Sequence, residues 1–98
     1  MPAYLLVEAE VRDMSAVPAY NEIAQRSIAQ YDGRYLVKGG SAELEDGTSL
    51  PEGKVVGVIE FPSMARLKEW HTSPEYAEAM KIRDRAVDVR LLFVDGNV

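Results

Sequence analysis

The chain has 98 residues, 47% of them hydrophobic and 28% charged, which gives room for one domain around one core and excludes a second. A formal charge of −5 with no cluster of Lys and Arg repels phosphate backbones and sets nucleic acid aside as a partner, while the absence of cysteine removes disulfides, thiolate nucleophiles and thiolate metal ligands. One histidine cannot form a two-histidine metal motif, and neither the longest apolar runs, such as Val55 to Ile59, nor residues 1 to 12 have the length of a bilayer span or the pattern of a signal peptide; a cytoplasmic protein with no membrane partner is expected.

Ala3 to Val11 alternates and is rich in apolar residues, which predicts a strand. Ala16 to Tyr31 follows with helical spacing and stops at Gly33. Arg34 to Lys38 is the next strand, and Gly39-Gly40, Asp46-Gly47 and Pro51-Glu52-Gly53 mark a polar connection between strands. Lys54 to Phe61 is β-branched and strand-like, and Pro62-Ser63 leads into a helix from Met64 to about Thr72. A second helix start follows at once: Ser73 can cap, Pro74 suits the first turn, and Glu75 favours the positive end of the dipole, so a helix runs on to about Arg85. Val89 to Val94 closes the chain as a strand.

The order is βαββαβ with the second helix broken in two. It predicts an α+β, ferredoxin-like fold over residues 1–98, an antiparallel sheet in strand order 4-1-3-2 with helices on one face.

Strand parity separates the two sheet faces. Leu5, Val7, Ala9 and Val11, then Tyr35 and Val37, then Val55, Gly57, Ile59 and Phe61, then Val89, Leu91 and Phe93 fall on one face, which should lie under the helices. The other face holds Tyr4, Leu6, Leu36, Val56, Val58, Leu92 and Val94, with Arg34 and Lys38 also assigned to it; it is too apolar to face water, so a homodimer through it is expected. Topology suggests a charge row Arg90, Glu8 or Glu10, Glu60, Arg34 at one end of that face, readable as an ion-pair network that sets register or as a ligand-binding cluster.

Three landmarks then resemble a small bacterial family of unknown function in the dimeric α/β-barrel superfamily. They are Tyr31-Asp32-Gly33-Arg34-Tyr35-Leu36-Val37-Lys38-Gly39-Gly40, Val58-Ile59-Glu60-Phe61-Pro62-Ser63 and Trp70-His71-Thr72-Ser73-Pro74-Glu75-Tyr76. The resemblance implies a ferredoxin-like protomer that dimerises through its sheet, and no established activity. The superfamily also holds cofactor-free monooxygenases, isomerases and haem-binding enzymes, so the fold leaves the chemistry open. His71 stands where this family more often has an aromatic residue, and Val17 precedes Pro18 where a capping Asp is usual.

The helices mark a candidate pocket independently. Met64, Leu67 and His71 share one helical face with Trp70 at its edge, and Tyr76, Met80 and Arg83 share another. Tyr20, Ile23, Ala24, Ser27 and Tyr31 form the inner face of the first helix. His71, Tyr76 and Arg83 thus converge beside the helix break: His71 as an acid or base, Arg83 as an oxyanion or carboxylate partner, Tyr76 as a donor. Each has a structural reading too, since a lone histidine on an apolar stripe is commonly a core residue, Arg83 can bond a carboxylate such as Glu75 or Asp84, and Trp70 and Tyr76 are natural core aromatics. The pattern is consistent with a protein that binds or transforms a small apolar or aromatic metabolite without a cofactor or metal. The alternatives are an associating dimer with no ligand and haem binding through His71. An RNA-binding reading fails, because the chain is acidic and its central strands lack exposed stacking aromatics.

Overall fold

The computed structural model describes residues 1–41 and 55–96, and the elements follow in the expected order: β1 (Ala3–Val11), α1 (Val17–Gln30), β2 (Arg34–Ser41), β3 (Val55–Phe61), α2 (Met64–His71), α3 (Pro74–Ala86) and β4 (Val87–Asp95). The predicted turns at Asp46-Gly47 and Pro51-Glu52-Gly53, and the strand start at Lys54, lie outside the described residues.

The strands form one antiparallel sheet in the order β2-β3-β1-β4, with β1 and β3 at its centre. Helix ends follow local chemistry. Ser63 Oγ accepts from Arg66 N at 3.1 Å to start α2, and Ser73 Oγ accepts from Tyr76 N at 3.1 Å to start α3. Pro74 occupies the first turn of α3, with Glu75 beside it. The N-cap of α1, Ala16, provides no side-chain cap. At the other end of α1, Asp32 adopts a left-handed φ of 66° and Gly33 N donates to Ile28 O at 2.9 Å. A Cβ on Gly33 would meet Ile28 Cγ2 at 2.5 Å and Phe61 Cζ at 2.9 Å, so the chain passes there only without a side chain.

The core gathers Leu5, Ile28, Ile59, Phe61, Leu67, Trp70 and Tyr76 between the helices and the inner sheet face. The innermost residues of the short α2 are Leu67 and Trp70, whereas Met64 and His71 are only partly buried. Helices α2 and α3 lie on the strands, while α1 packs chiefly along α3. α1 is tied to α2 through a small residue: Ser27 is buried, its Oγ donates to Ala24 O at 2.7 Å and accepts from Trp70 Nε1 at 2.9 Å.

Two expectations are corrected in β2. The strand continues through Gly39-Gly40 to Ser41 instead of ending at Lys38, and its pairing with β3 slips twice. Tyr35 pairs with Ile59, but Val37 pairs with Val58 and Gly40 with Val56. The first slip moves Val37 from the expected inner face to the outer one, where it is 41% exposed, and it turns Lys38 to the helix side of this edge strand, still exposed, with its Nζ 5.4 Å from the Tyr35 ring centroid. Gly39, at φ 72°, supplies the left-handed residue that such a bulge favours.

The outer face is as apolar as parity indicates, with Leu36, Val37, Leu92 and Val94 all at least 40% exposed. Its charges are corrected: they form two separate pairs, not one row. Glu8 pairs with Arg90 at 2.7 Å from Arg90 Nε, and Glu60 pairs with Arg34 at 2.7 Å. In the β1–β3 register Glu60 faces Tyr4 while Glu8 faces Val56, so the pairs sit toward opposite ends of the face, about 13 Å apart at ~3.3 Å per residue. Glu10 stands across from Asp88, outside both pairs.

Candidate functional site

Because α1 leans on α3 more than on the strands, a hollow of about 200 Å³ remains between its Tyr20–Ala24–Ile28 side and the inner sheet face. Its floor is Leu5, Val7 and Ala9 of β1, Gly57 and Ile59 of β3, and Val89 and Leu91 of β4; Trp70 and Tyr76 close one end. An apolar cavity of ~150 Å³ already holds a benzene ring, and drug-sized ligands occupy ~300–1,000 Å³, so this space suits a single small ring or short chain. The α1–α3 seam also carries an outer groove lined by Ile23, Arg26, Ser27, Gln30, Glu75 and Glu78, and Arg26 there is engaged by Glu22 at 2.6 Å.

Polar groups reach the cavity from a short chain of side chains. Arg83 donates through an Nη atom to Tyr76 Oη at 3.5 Å, and Tyr76 Oη lies 3.4 Å from Tyr20 Oη, both long for hydrogen bonds. Arg83 Nε is buried with no hydrogen-bond partner among the described residues, its nearest carboxylate being Asp84 Oδ1 at 3.6 Å. Burial pushes the Tyr20 phenol far above its ordinary range, with the neighbouring Tyr76 adding to the effect, and burial raises Tyr35 to about 12. Both hydroxyls therefore keep their protons at neutral pH. Lys38 and Tyr35 line the β2 side, and Asn21 and Gln25 line the α1 side.

The three residues expected to converge do so only in part. Tyr76 is fully buried and lines the cavity, and Arg83 reaches it through the Tyr76 hydroxyl. His71 is outside the lining: its ring packs edge-on to Phe93 at 5.3 Å and beside Tyr76 at 6.0 Å. Burial, then the charge of Arg83, holds its imidazole below the ordinary value of 6.5. The cavity thus lies under α1, not at the helix break where sequence spacing puts it, and His71 offers no axial ligand into it. Trp70 combines both of its expected readings, since it is a buried core residue 4.2 Å from the Tyr76 ring and also forms a wall of the cavity. Glu8, Arg34, Glu60 and Arg90 lie on the opposite face of the sheet from this cavity and do not share a site with it.

Sequence reasoning placed Tyr20 on an inner helical face without giving it a role, and placed Lys38 on the wrong side of the sheet. The signal for Lys38 was the Gly39-Gly40 pair, since glycine inside a strand pattern is a bulge marker. Among the described residues, no group of three or more His, Cys, Asp and Glu is placed to hold a metal ion, and no helix is long and apolar enough to cross a membrane.

Comparison with known proteins adds the lineage of this arrangement. A family model for a domain of unknown function (DUF1330) matches residues 2–97. No curated protein matches the chain. Among solved structures, the RPA0582 protein of unknown function from Rhodopseudomonas palustris is similar at 24% identity and a TM-score of 0.79, over 99% of this chain and 83% of that one. A dimeric protein of unknown function with a ferredoxin-like fold from Bacteroides fragilis is 16% identical with a TM-score of 0.63, over 96% of this chain and 95% of that one. SnoaB, a cofactor-independent oxygenase from Streptomyces nogalater, is 8% identical with a TM-score of 0.62, over 99% of this chain and 94% of that one. At these identities the structural likenesses establish the ferredoxin-like fold alone.

Proposed function

The chain belongs to the DUF1330 family, and we propose that it works as a homodimer, paired through the outer faces of its sheets, whose protomers each bind or transform a small apolar or aromatic metabolite in the cavity beneath α1. The observation that carries the ligand reading is the cavity itself: about 200 Å³ of space lined largely by aliphatic side chains, with Trp70 as one wall and a few polar groups at its margins.

The dimer is supported by the outer face, where Leu36, Val37, Leu92 and Val94 are exposed in the protomer, and by structural neighbours described as dimeric. Pairing would also cover the Glu8–Arg90 and Glu60–Arg34 ion pairs, which then fix the orientation of one sheet on the other.

Within the cavity, Tyr76 takes the role of hydrogen-bond donor together with Tyr20, and Arg83 acts through Tyr76 by polarising its hydroxyl. His71 has no base role in this reading, because a base must reach the proton it takes and its ring is packed against Phe93 outside the lining. The cofactor-independent oxygenase among the structural neighbours is a precedent for small-molecule chemistry on this fold without a cofactor.

Methyl-resolved NMR of the dimer during addition of toluene tests the reading. Saturable shifts confined to Val7, Ala24, Ile28, Leu91 and their neighbours are expected. A spectrum that does not move favours the alternative, an associating dimer with no ligand.

A further inference from the structure

Resting on the ligand reading above, we infer that the cavity selects an apolar carboxylate, with the one free O–H of the Tyr20–Tyr76 pair donating to its oxygen and Lys38 supplying the opposing charge. The inference comes from counting protons. Arg83 can only donate, so its contact with Tyr76 Oη occupies an acceptor position of that hydroxyl. The two phenols carry two protons, and the single contact between their oxygens uses one of them whichever way it points. One O–H is left over, on a hydroxyl that lines the cavity. A donor facing a largely apolar space, with Asn21 and Gln25 on its α1 side and Lys38 on its β2 side, calls for an acceptor oxygen. An ammonium or amide N–H presented there would compete with a proton already in place.

Charge points the same way. Among the described lining residues Lys38 carries the one formal charge, and no Asp or Glu lines the cavity with it. The β2 bulge is what brings that ammonium round to the cavity side, beside Tyr35. Behind Tyr76, the Arg83 guanidinium adds a second positive group that touches the cavity only through a hydroxyl. A ligand with an apolar body and a carboxylate meets a donor and positive charge; one ending in an amine meets the same positive charge and, among the described lining residues, no carboxylate to offset it.

Calorimetric titration of the full chain at neutral pH with hydrocinnamate, the alcohol of the same skeleton and the corresponding amine tests this, with the fluorescence of Trp70 reporting occupancy. The carboxylate should bind more tightly than the alcohol by about tenfold, one charge-assisted contact being worth roughly that, and the amine should bind weakest. Lys38→Gln should erase the advantage of the carboxylate over the alcohol while leaving the alcohol's affinity in place, and Tyr20→Phe should weaken both. Equal affinities for the three compounds, or an unchanged preference in Lys38→Gln, overturn the inference and leave the cavity reading standing. No binding by any of them, with Trp70 silent, overturns both.

Discussion

Trp70 Nε1 donates to Ser27 Oγ at 2.9 Å across the junction of α2 with α1, and neither residue is more than 1% exposed. Ser27 passes its own proton to Ala24 O at 2.7 Å, so the serine satisfies the indole without leaving a donor of its own unpaired. The largest side chain of the core is thereby held in one orientation, with its ring forming a wall of the cavity.

Ser27→Ala removes that acceptor and leaves a buried indole N–H with no partner. The loss should be about 1–3 kcal/mol, the usual cost of an unsatisfied buried donor. Urea unfolding followed by circular dichroism measures it, with an unchanged slope expected because the exposed surface on unfolding is the same. A variant as stable as the parent would mean the indole finds another partner.

The outer sheet face gives the second expectation. Val58 pairs with Leu6 at the centre of that face, so Val58→Asp buries a carboxylate in the proposed interface and should split the dimer or unfold it. Light scattering on the parent protein should show a dimer; a stably folded parent monomer removes the case for pairing through this face.

The corrected charge geometry has its own consequence. Glu8–Arg90 and Glu60–Arg34 share no partner, so the effects of Arg34→Ala and Arg90→Ala on dimer stability should add to within about 0.5 kcal/mol. Both arginines are largely exposed in the protomer, which limits each pair to about 1 kcal/mol there, with a larger loss where dimerisation covers the glutamate left behind. Denaturant titration of the two single variants and the double variant checks it, and strong non-additivity would restore a connected charge row.

His71 supplies a pH signature. Its folded-state pKa lies below 6.5, so between that value and 6.5 the unfolded chain binds more protons than the folded one. The stabilisation is present above pH 6.5 and is lost as pH falls through the folded value. Proton NMR should place the imidazole midpoint below 6.5, Arg83→Met should move it upward by removing one of the two causes, and His71→Phe should flatten this part of the stability profile. A midpoint at or above 6.5 contradicts the burial on which the assignment rests.

Most of the fold was legible because the strands alternate cleanly and the helix starts are written in local chemistry: Ser73, Pro74 and Glu75 announce α3 without tertiary information. β2 was not legible by parity, since a bulge changes which face each later residue takes, and Lys38 and Val37 exchanged sides on that account. The site was half legible. Helical spacing brought Tyr76, Arg83 and His71 near one another, but it cannot say how far α1 stands from the sheet, and that distance decides that the cavity belongs to Tyr20 and Tyr76 and not to His71. The charge pairs were legible by identity and not by position, because partners come from topology and spacing along the sheet comes from register.

Trp70 is the single tryptophan of the chain and forms part of the cavity wall, so its fluorescence reads that space directly. Titration with hydrocinnamate should shift its emission saturably in the parent protein, and Ala9→Phe, which fills the opposite end of the floor, should abolish the response while light scattering still shows the dimer. An emission that never changes, or one that changes equally in Ala9→Phe, would contradict a ligand-binding cavity beneath α1.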